Sequence, residues 1–167
     1  RGLVGSEMCI RDSFKLGLYE HQSAGALEGL QKLIYDSKFP TKCSLGDVEN
    51  INIVAYEPAF GIIGDPAKKT PSTRQSADHS MVYIVSTILR KAFETKDLGN
   101  QLSNFKDLDG VWKLLMLEPR DYGHKALFNE QTRALMQKCT FEHGGKEYDE
   151  KYPEGIPSRI TVTLKNG

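Results

Sequence analysis

The sequence predicts an α+β domain, with helices packed on one face of a small, mainly antiparallel sheet. Three observations carry that expectation. Ile51–Tyr56 is β-branched and partly alternating, and Arg159–Leu164 alternates strictly, with Ile160, Val162 and Leu164 on one face and Thr161 and Thr163 on the other. Two longer stretches, Glu20–Tyr35 and Ser76 to about Glu94, repeat their apolar residues at helical spacing. Strands and helices do not alternate as strict βαβ units, which argues against a doubly wound parallel sheet.

In chain order, Ala24, Leu27, Leu30, Leu33 and Ile34 form the apolar stripe of the first helix. Gly25 and Gly29 lie one turn apart and leave room for a close-packed neighbour, expected to be a surface outside this chain. A linker with Pro40 and Gly46 leads to the Ile51–Tyr56 strand, which Pro58 halts. Gly61–Thr73 reads as a loop, with Gly64-Asp65-Pro66 and Pro71 as turn signals. Ser76 is the expected N-cap of the second helix, with Asp78 in its first turn. Met81, Ile84, Val85, Ile88, Leu89 and Ala92 make its buried stripe, and His79, Tyr83, Ser86 and Arg90 fall on a separate polar face. Phe105–Leu117 suggests a third helix, although Gly110 weakens the pattern. Asn129 caps a short helix through Met136 that runs into a strand near Lys138–Glu142, and Gly144-Gly145 turns the chain.

With 167 residues the chain can bury one core. Lys plus Arg and Asp plus Glu each number 22, so no overall field draws it to nucleic acid or to an acidic membrane surface. No apolar run approaches the roughly 20 residues that span a bilayer. Cys9, Cys43 and Cys139 are isolated, and His21, His79, His124 and His143 are scattered, so no disulfide framework or metal-binding spacing is present. Cys43 and Cys139 read as small apolar fillers and Trp112 as a core or interface residue.

The chemistry concentrates between Gly64 and Tyr83. Lys68, Lys69 and Arg74 precede a helix start and together suit a carboxylate-rich or phosphorylated ligand; the alternative is a solvated basic loop. His79 and Tyr83, four apart, form a proton-transfer pair if they share a face, or else a capping histidine and a half-buried tyrosine. Lys15, Tyr19 and His21 make a second polar group before the first helix.

Lys15–Leu30 (KLGLYEHQSAGALEGL), Gly64-Asp65-Pro66, Thr73–Ser80 (TRQSADHS) and Thr132–Met136 together resemble the 2-methylcitrate dehydratase family, the MmgE/PrpD superfamily. The resemblance is spread in order over nearly all of Phe14–Gly167. It implies the α+β lid of a two-domain enzyme whose helical domain lies outside this chain, with the active site between the two. It implies catalytic roles for His79, Tyr83, His21 and Lys15, and substrate binding by Arg74 and Asp78; Lys68 and Lys69, read from the basic loop itself, are expected to bind substrate with them. The implied reaction is loss of water from 2-methylcitrate to give 2-methyl-aconitate, in propionate catabolism, without a cofactor. The implied partners are a small tricarboxylate and a second copy in a homodimer, with neither nucleic acid nor membrane; the implied location is cytoplasmic or the mitochondrial matrix. A cis-aconitate decarboxylase or an epimerase of the same superfamily would use a similar anion-binding shell, and a non-catalytic anion- or partner-binding module is the reading from outside it.

Residues 1–13 stand apart. Met8–Ser13 (MCIRDS) resembles the translation of an adapter end used in sequencing libraries, so residues 1–13 are set aside as non-native and 14–167 is taken as the domain. The final strand stops on Asn166-Gly167, a hairpin-type turn, and the chain is expected to be an internal piece of a longer protein.

Overall fold

A computed structural model describes residues 17–63 and 66–165, the side chains of 62, 63, 66 and 67 excepted. The adapter-like segment, Lys15 and the Gly64-Asp65 turn lie outside the described residues. The fold is α+β, with helices packed against a three-stranded sheet.

A 3-10 turn, His21–Ser23, runs into α1, Ala24–Ser37. The helix buries Ala26, Leu27, Leu30, Gln31 and Ile34, the face its spacing predicts with a glutamine added. Gly25 and Gly29 do not face outward. A Cβ on Gly25 would stand 2.3 Å from the carbonyl oxygen of Ile156, and one on Gly29 would stand 3.2 Å from Ile160 Cγ2. Their lack of side chains lets the last strand of this same chain approach, so the expected surface for something outside it is internal.

Strand β1, Val48–Ala55, is central, between β2, Cys139–His143, and β3, Ser158–Leu164. It pairs antiparallel with β3 (Ile51 opposite Val162, Ile53 opposite Ile160) and parallel with β2 (Ile51 opposite Cys139, Ile53 opposite Phe141). The sheet is therefore mixed rather than mainly antiparallel. Sequence periodicity marks strands but not their direction, and the parallel pairing arises because helices fill the crossover from β1 to β2. The inner face is Ile51, Ile53 and Ala55, flanked by Phe141, Ile160 and Val162, while Thr140 on the other face donates to Asn52 Oδ1 at 3.0 Å.

The expected loop from Gly61 contains helix. After β1 come α2, Glu57–Ile63, and α3, Pro66–Lys69, with Pro58 in the first turn of α2, where its missing N–H costs nothing. The expected single helix from Ser76 is two. Helix α4, Arg74–Asp78, is capped by Thr73, not Ser76: Thr73 Oγ1 accepts from Ser76 N and Ser76 Oγ accepts from Thr73 N, each at 3.1 Å. His79 closes that turn, and Ser80 caps α5, Met81–Glu94, by accepting from Tyr83 N at 3.2 Å. Thr73 and Ser80, seven positions apart, each cap a helix start with their side chains, and the two caps together make the break.

Every residue of α5 from Met81 through Leu89 is buried, because α1, α7 (Leu108–Leu115) and α9 (Glu130–Met136) surround it beside the sheet. The expected polar face does not exist: Tyr83 and Ser86 are fully buried, and Arg90 donates from Nε to Thr132 Oγ1 at 2.8 Å. Between them lie α6, Leu98–Asn104, and α8, His124–Leu127. Helix α7 is shorter than its sequence pattern, and Phe105 folds over Gly110, whose missing side chain makes space for the ring. Asn129 caps α9 as expected, accepting from Thr132 N at 3.0 Å. After β2, Gly145 adopts φ of +74° and leads into α10, Lys146–Asp149.

Candidate functional site

A cleft of about 140 Å³ opens where the start of the described chain, Gly17–Tyr19, passes α4. Arg74, Asp78 and His79 form one wall and Tyr122 another. Arg74 is the first residue of α4 and Asp78 its last, so the two lie one helical turn apart on one face. Breaking the helix after Asp78 brings His79 to the same edge.

His79 Nδ1 lies against Asp78 Oδ1 and 3.1 Å from the carbonyl oxygen of Gln75. Both partners only accept, so Nδ1 carries a proton and Nε2 is left to meet a ligand. The His79 side chain is 61% exposed, so this nitrogen is open to a ligand. Arg74 is exposed and makes no hydrogen bond or ion pair among the described residues, leaving its planar fork free for a carboxylate.

Tyr122 is the residue that sequence reasoning missed. It lies in a 3-10 turn, Pro119–Tyr122, buried, with its hydroxyl donating to the carbonyl oxygen of Leu18. That bond ties the Gly17–Tyr19 segment over the cleft. Burial pushes its phenol well above the ordinary range, the negative charge of Asp78 adds to this, and Arg74 opposes it. Tyr122 is therefore a neutral donor. A four-residue turn has no periodicity to mark it in the sequence.

The predicted site residues divide. Arg74, Asp78 and His79 converge in the cleft. Tyr83 does not join them: it is fully buried, and its hydroxyl donates to the carbonyl oxygen of Asp121. The expected four-residue spacing fails because the helix break separates the two side chains. His21 begins the 3-10 turn before α1, half-buried, and is not part of the cleft wall. Lys69 lines a different, larger cleft of about 380 Å³ with Phe60, Val82 and Phe141. Lys68 contributes its carbonyl, which accepts from Ser80 Oγ, and its side chain lines neither cleft. Lys15 lies outside the described residues.

The helix N-terminus expected beside the basic residues also changes. Thr73 occupies the start of the five-residue α4, and the longer α5 is capped by Ser80, which is fully buried. The cationic group that this cleft offers to an anion is thus the Arg74 guanidinium, not a helix N-terminus.

Among the described residues no set of His, Cys, Asp and Glu is arranged to hold a metal ion, and no helix is long and apolar enough to cross a membrane. Cys139 is held as a neutral thiol, its pKa pushed up to about 12 by burial, in keeping with a packing role. No protein-family model matches the chain, and no curated protein matches it.

Proposed function

We propose that this chain is the lid portion of a hydro-lyase of the 2-methylcitrate dehydratase type, and that Arg74, Asp78 and His79 form its contribution to the active site. The observation that carries the proposal is the convergence of a free guanidinium and a carboxylate-oriented imidazole on one open cleft. The ordered resemblance of Lys15–Leu30 and Thr73–Ser80 to that family supplies the substrate class.

The parts match the chemistry. Eliminating water from a hydroxy-tricarboxylate requires removal of a weakly acidic proton beside a carboxylate and delivery of a proton to the departing hydroxyl. Arg74 holds a substrate carboxylate bidentately and stabilises the charge that builds on it as the proton leaves. His79 Nε2 accepts or returns a proton, while Asp78 fixes the ring. The neutral Tyr122 keeps its own hydrogen bond to Leu18 and holds the opposite rim. The cleft is shallow and His79 is exposed, so the reading includes a second wall, from the helical domain, that closes over the substrate.

The test is dehydration of 2-methylcitrate by the full-length gene product, followed by the absorbance of the unsaturated product. His79→Gln and Arg74→Ala are each expected to lower kcat/KM by about 10²-fold or more, with melting temperature unchanged. Residues 1–167 alone are expected to be inactive. Undiminished activity in both variants, or turnover by the 167-residue chain alone, overturns the assignment.

A further inference from the structure

Helix α4 carries one wall of the cleft but has little apolar packing to hold it. It is five residues long, too short to persist alone, and of its residues only Ala77 is buried. Where α4 sits is therefore set by hydrogen bonds at its two ends. At the exit, Ser80 Oγ donates to the carbonyl of Lys68. At the approach stands Pro71, buried two residues ahead of the Thr73 cap. A proline has no N–H, so its carbonyl is its one backbone polar group. That carbonyl accepts from Arg133 Nη2, 62 positions further along the chain.

Arg133 is fixed on its other side as well. Its Nε donates at 2.8 Å to the carbonyl of Leu127, the last residue of α8, and its Cζ stands 5.0 Å from the centre of the Phe128 ring. The side chain belongs to a half-buried residue and makes no ion pair among the described residues; both of its hydrogen-bond acceptors are backbone carbonyls. Withdrawing a guanidinium from water without a carboxylate is costly, and a neutral side chain of similar volume would escape that cost. What neither a neutral side chain nor a lysine can do is donate from two nitrogens of one rigid plane to two fixed acceptors. Helix α9, which carries Arg133, packs on the buried α5, so the fork extends from an element that is itself held in the core. We propose that Arg133 is a positioning residue for the Arg74–His79 cleft: by bridging the carbonyls of Leu127 and Pro71, it sets where α4 presents Arg74, Asp78 and His79. Its consequence for catalysis rests on the reaction proposed above, whereas its placement of α4 does not.

The test uses the full-length gene product with two variants. Arg133→Lys keeps the charge and the stem but cannot bridge both carbonyls, and Arg133→Met removes the donors. Amide hydrogen exchange reads the placement of α4 whatever the reaction is. Exchange over residues 73–80 is expected to quicken by about tenfold or more in both variants, with residues 81–94 unchanged. Kinetics read the consequence: kcat/KM for 2-methylcitrate is expected to fall by about tenfold or more, mainly through a higher KM, as the Arg74 fork loses its place. A purely structural arginine would lower the melting temperature and leave the KM of the folded enzyme unchanged. Unchanged exchange over 73–80, equal quickening of 73–80 and 81–94, or an unchanged KM in active enzyme would each overturn the proposal. So would failure of Arg133→Lys to fold, since Arg133 would then hold the whole domain rather than one wall. If the parent enzyme does not dehydrate 2-methylcitrate, the reaction proposed above fails and the exchange result alone decides the role of Arg133.

Discussion

The hydroxyl of Tyr83 donates to the backbone carbonyl of Asp121, and the two rings of Tyr83 and Tyr122 stand 6.0 Å apart. The first residues of α5 are thereby fastened to the turn that carries Tyr122. Tyr83 supports the cleft from behind and does not reach into it. Tyr83→Phe removes the donor from a buried carbonyl and is expected to cost about 1–2 kcal/mol, read by chemical denaturation. If the proposed reaction holds, its effect on turnover of 2-methylcitrate by the full-length protein should be no more than a few-fold. A hundredfold loss with unchanged stability would restore Tyr83 to the reaction.

The same turn is held by a second, charged tie. Lys91 Nζ donates to Asp121 Oδ2 at 2.9 Å and to the carbonyl of Met116 at 2.6 Å, and Asp121 Oδ2 also accepts from Glu118 N at 2.8 Å. Both side chains of the pair are largely buried, 14% and 8% exposed. Lys91→Met leaves the Asp121 carboxylate buried without its cation and is expected to destabilise the protein by about 3 kcal/mol or more. Lys91→Met combined with Asp121→Leu should recover part of that loss. Additive losses in the double variant would show that the pair is not coupled.

Two glycines on one helix should respond oppositely to the same substitution. The Gly25→Ala methyl meets the Ser158 side chain at 3.0 and 3.2 Å and the backbone carbonyl oxygen of Ile156 at 2.3 Å, and that carbonyl cannot move without shifting the chain that leads into β3. A loss of about 1–3 kcal/mol is expected. Gly29→Ala meets one side-chain methyl at 3.2 Å, which can rotate away, and gains up to about 1 kcal/mol of helix propensity. Urea midpoints of the two variants check this. Equal effects would remove the argument that β3 is seated on Gly25.

The carboxyl of Asp149 caps the start of α2, accepting from Glu57 N at 2.8 Å, and lies 3.1 Å from His143 Nε2. The backbone N–H first, and His143 second, hold its pKa below the ordinary aspartate value. A carboxyl depressed by folding stabilises the fold above its unfolded pKa, near 4, and that contribution fades as pH falls through the lower folded value. Asp149→Asn is therefore expected to lower the urea midpoint at pH 6 and to converge with the parent chain in strong acid. A difference that persists unchanged below pH 3 would contradict the assignment.

Much of the secondary structure was legible in the sequence because it rests on local signals. The apolar stripe of α1, the Asn129 cap, the alternation of β3 and the β-branched run of β1 each declare themselves within a dozen residues. The α+β class follows from them. What sequence periodicity got wrong has one cause: it treats every polar side chain as solvent-facing. Tyr83 and Ser86 sit on the polar arc of α5 yet are buried, because helices cover that arc too. The Ser76 cap failed for a related reason, since Thr73 and Ser80 both compete for backbone N–H groups and only their combination breaks the helix.

The sequence by itself determined the element types, the even charge balance and the run from Arg74 to His79 that carries the candidate chemistry. Spacing along one short helix is enough to bring Arg74 and Asp78 to one face. Tertiary structure alone decided the rest. It recruited Tyr122 from 43 residues beyond His79 and used its hydroxyl to bring Leu18 to the rim. It sent Lys69 to another cleft and turned the Gly25 face inward against β3. The physical reason is that these outcomes depend on which surfaces meet. Burial, close backbone approach and long-range hydrogen bonds are properties of pairs of elements, and a local pattern records only one member of each pair.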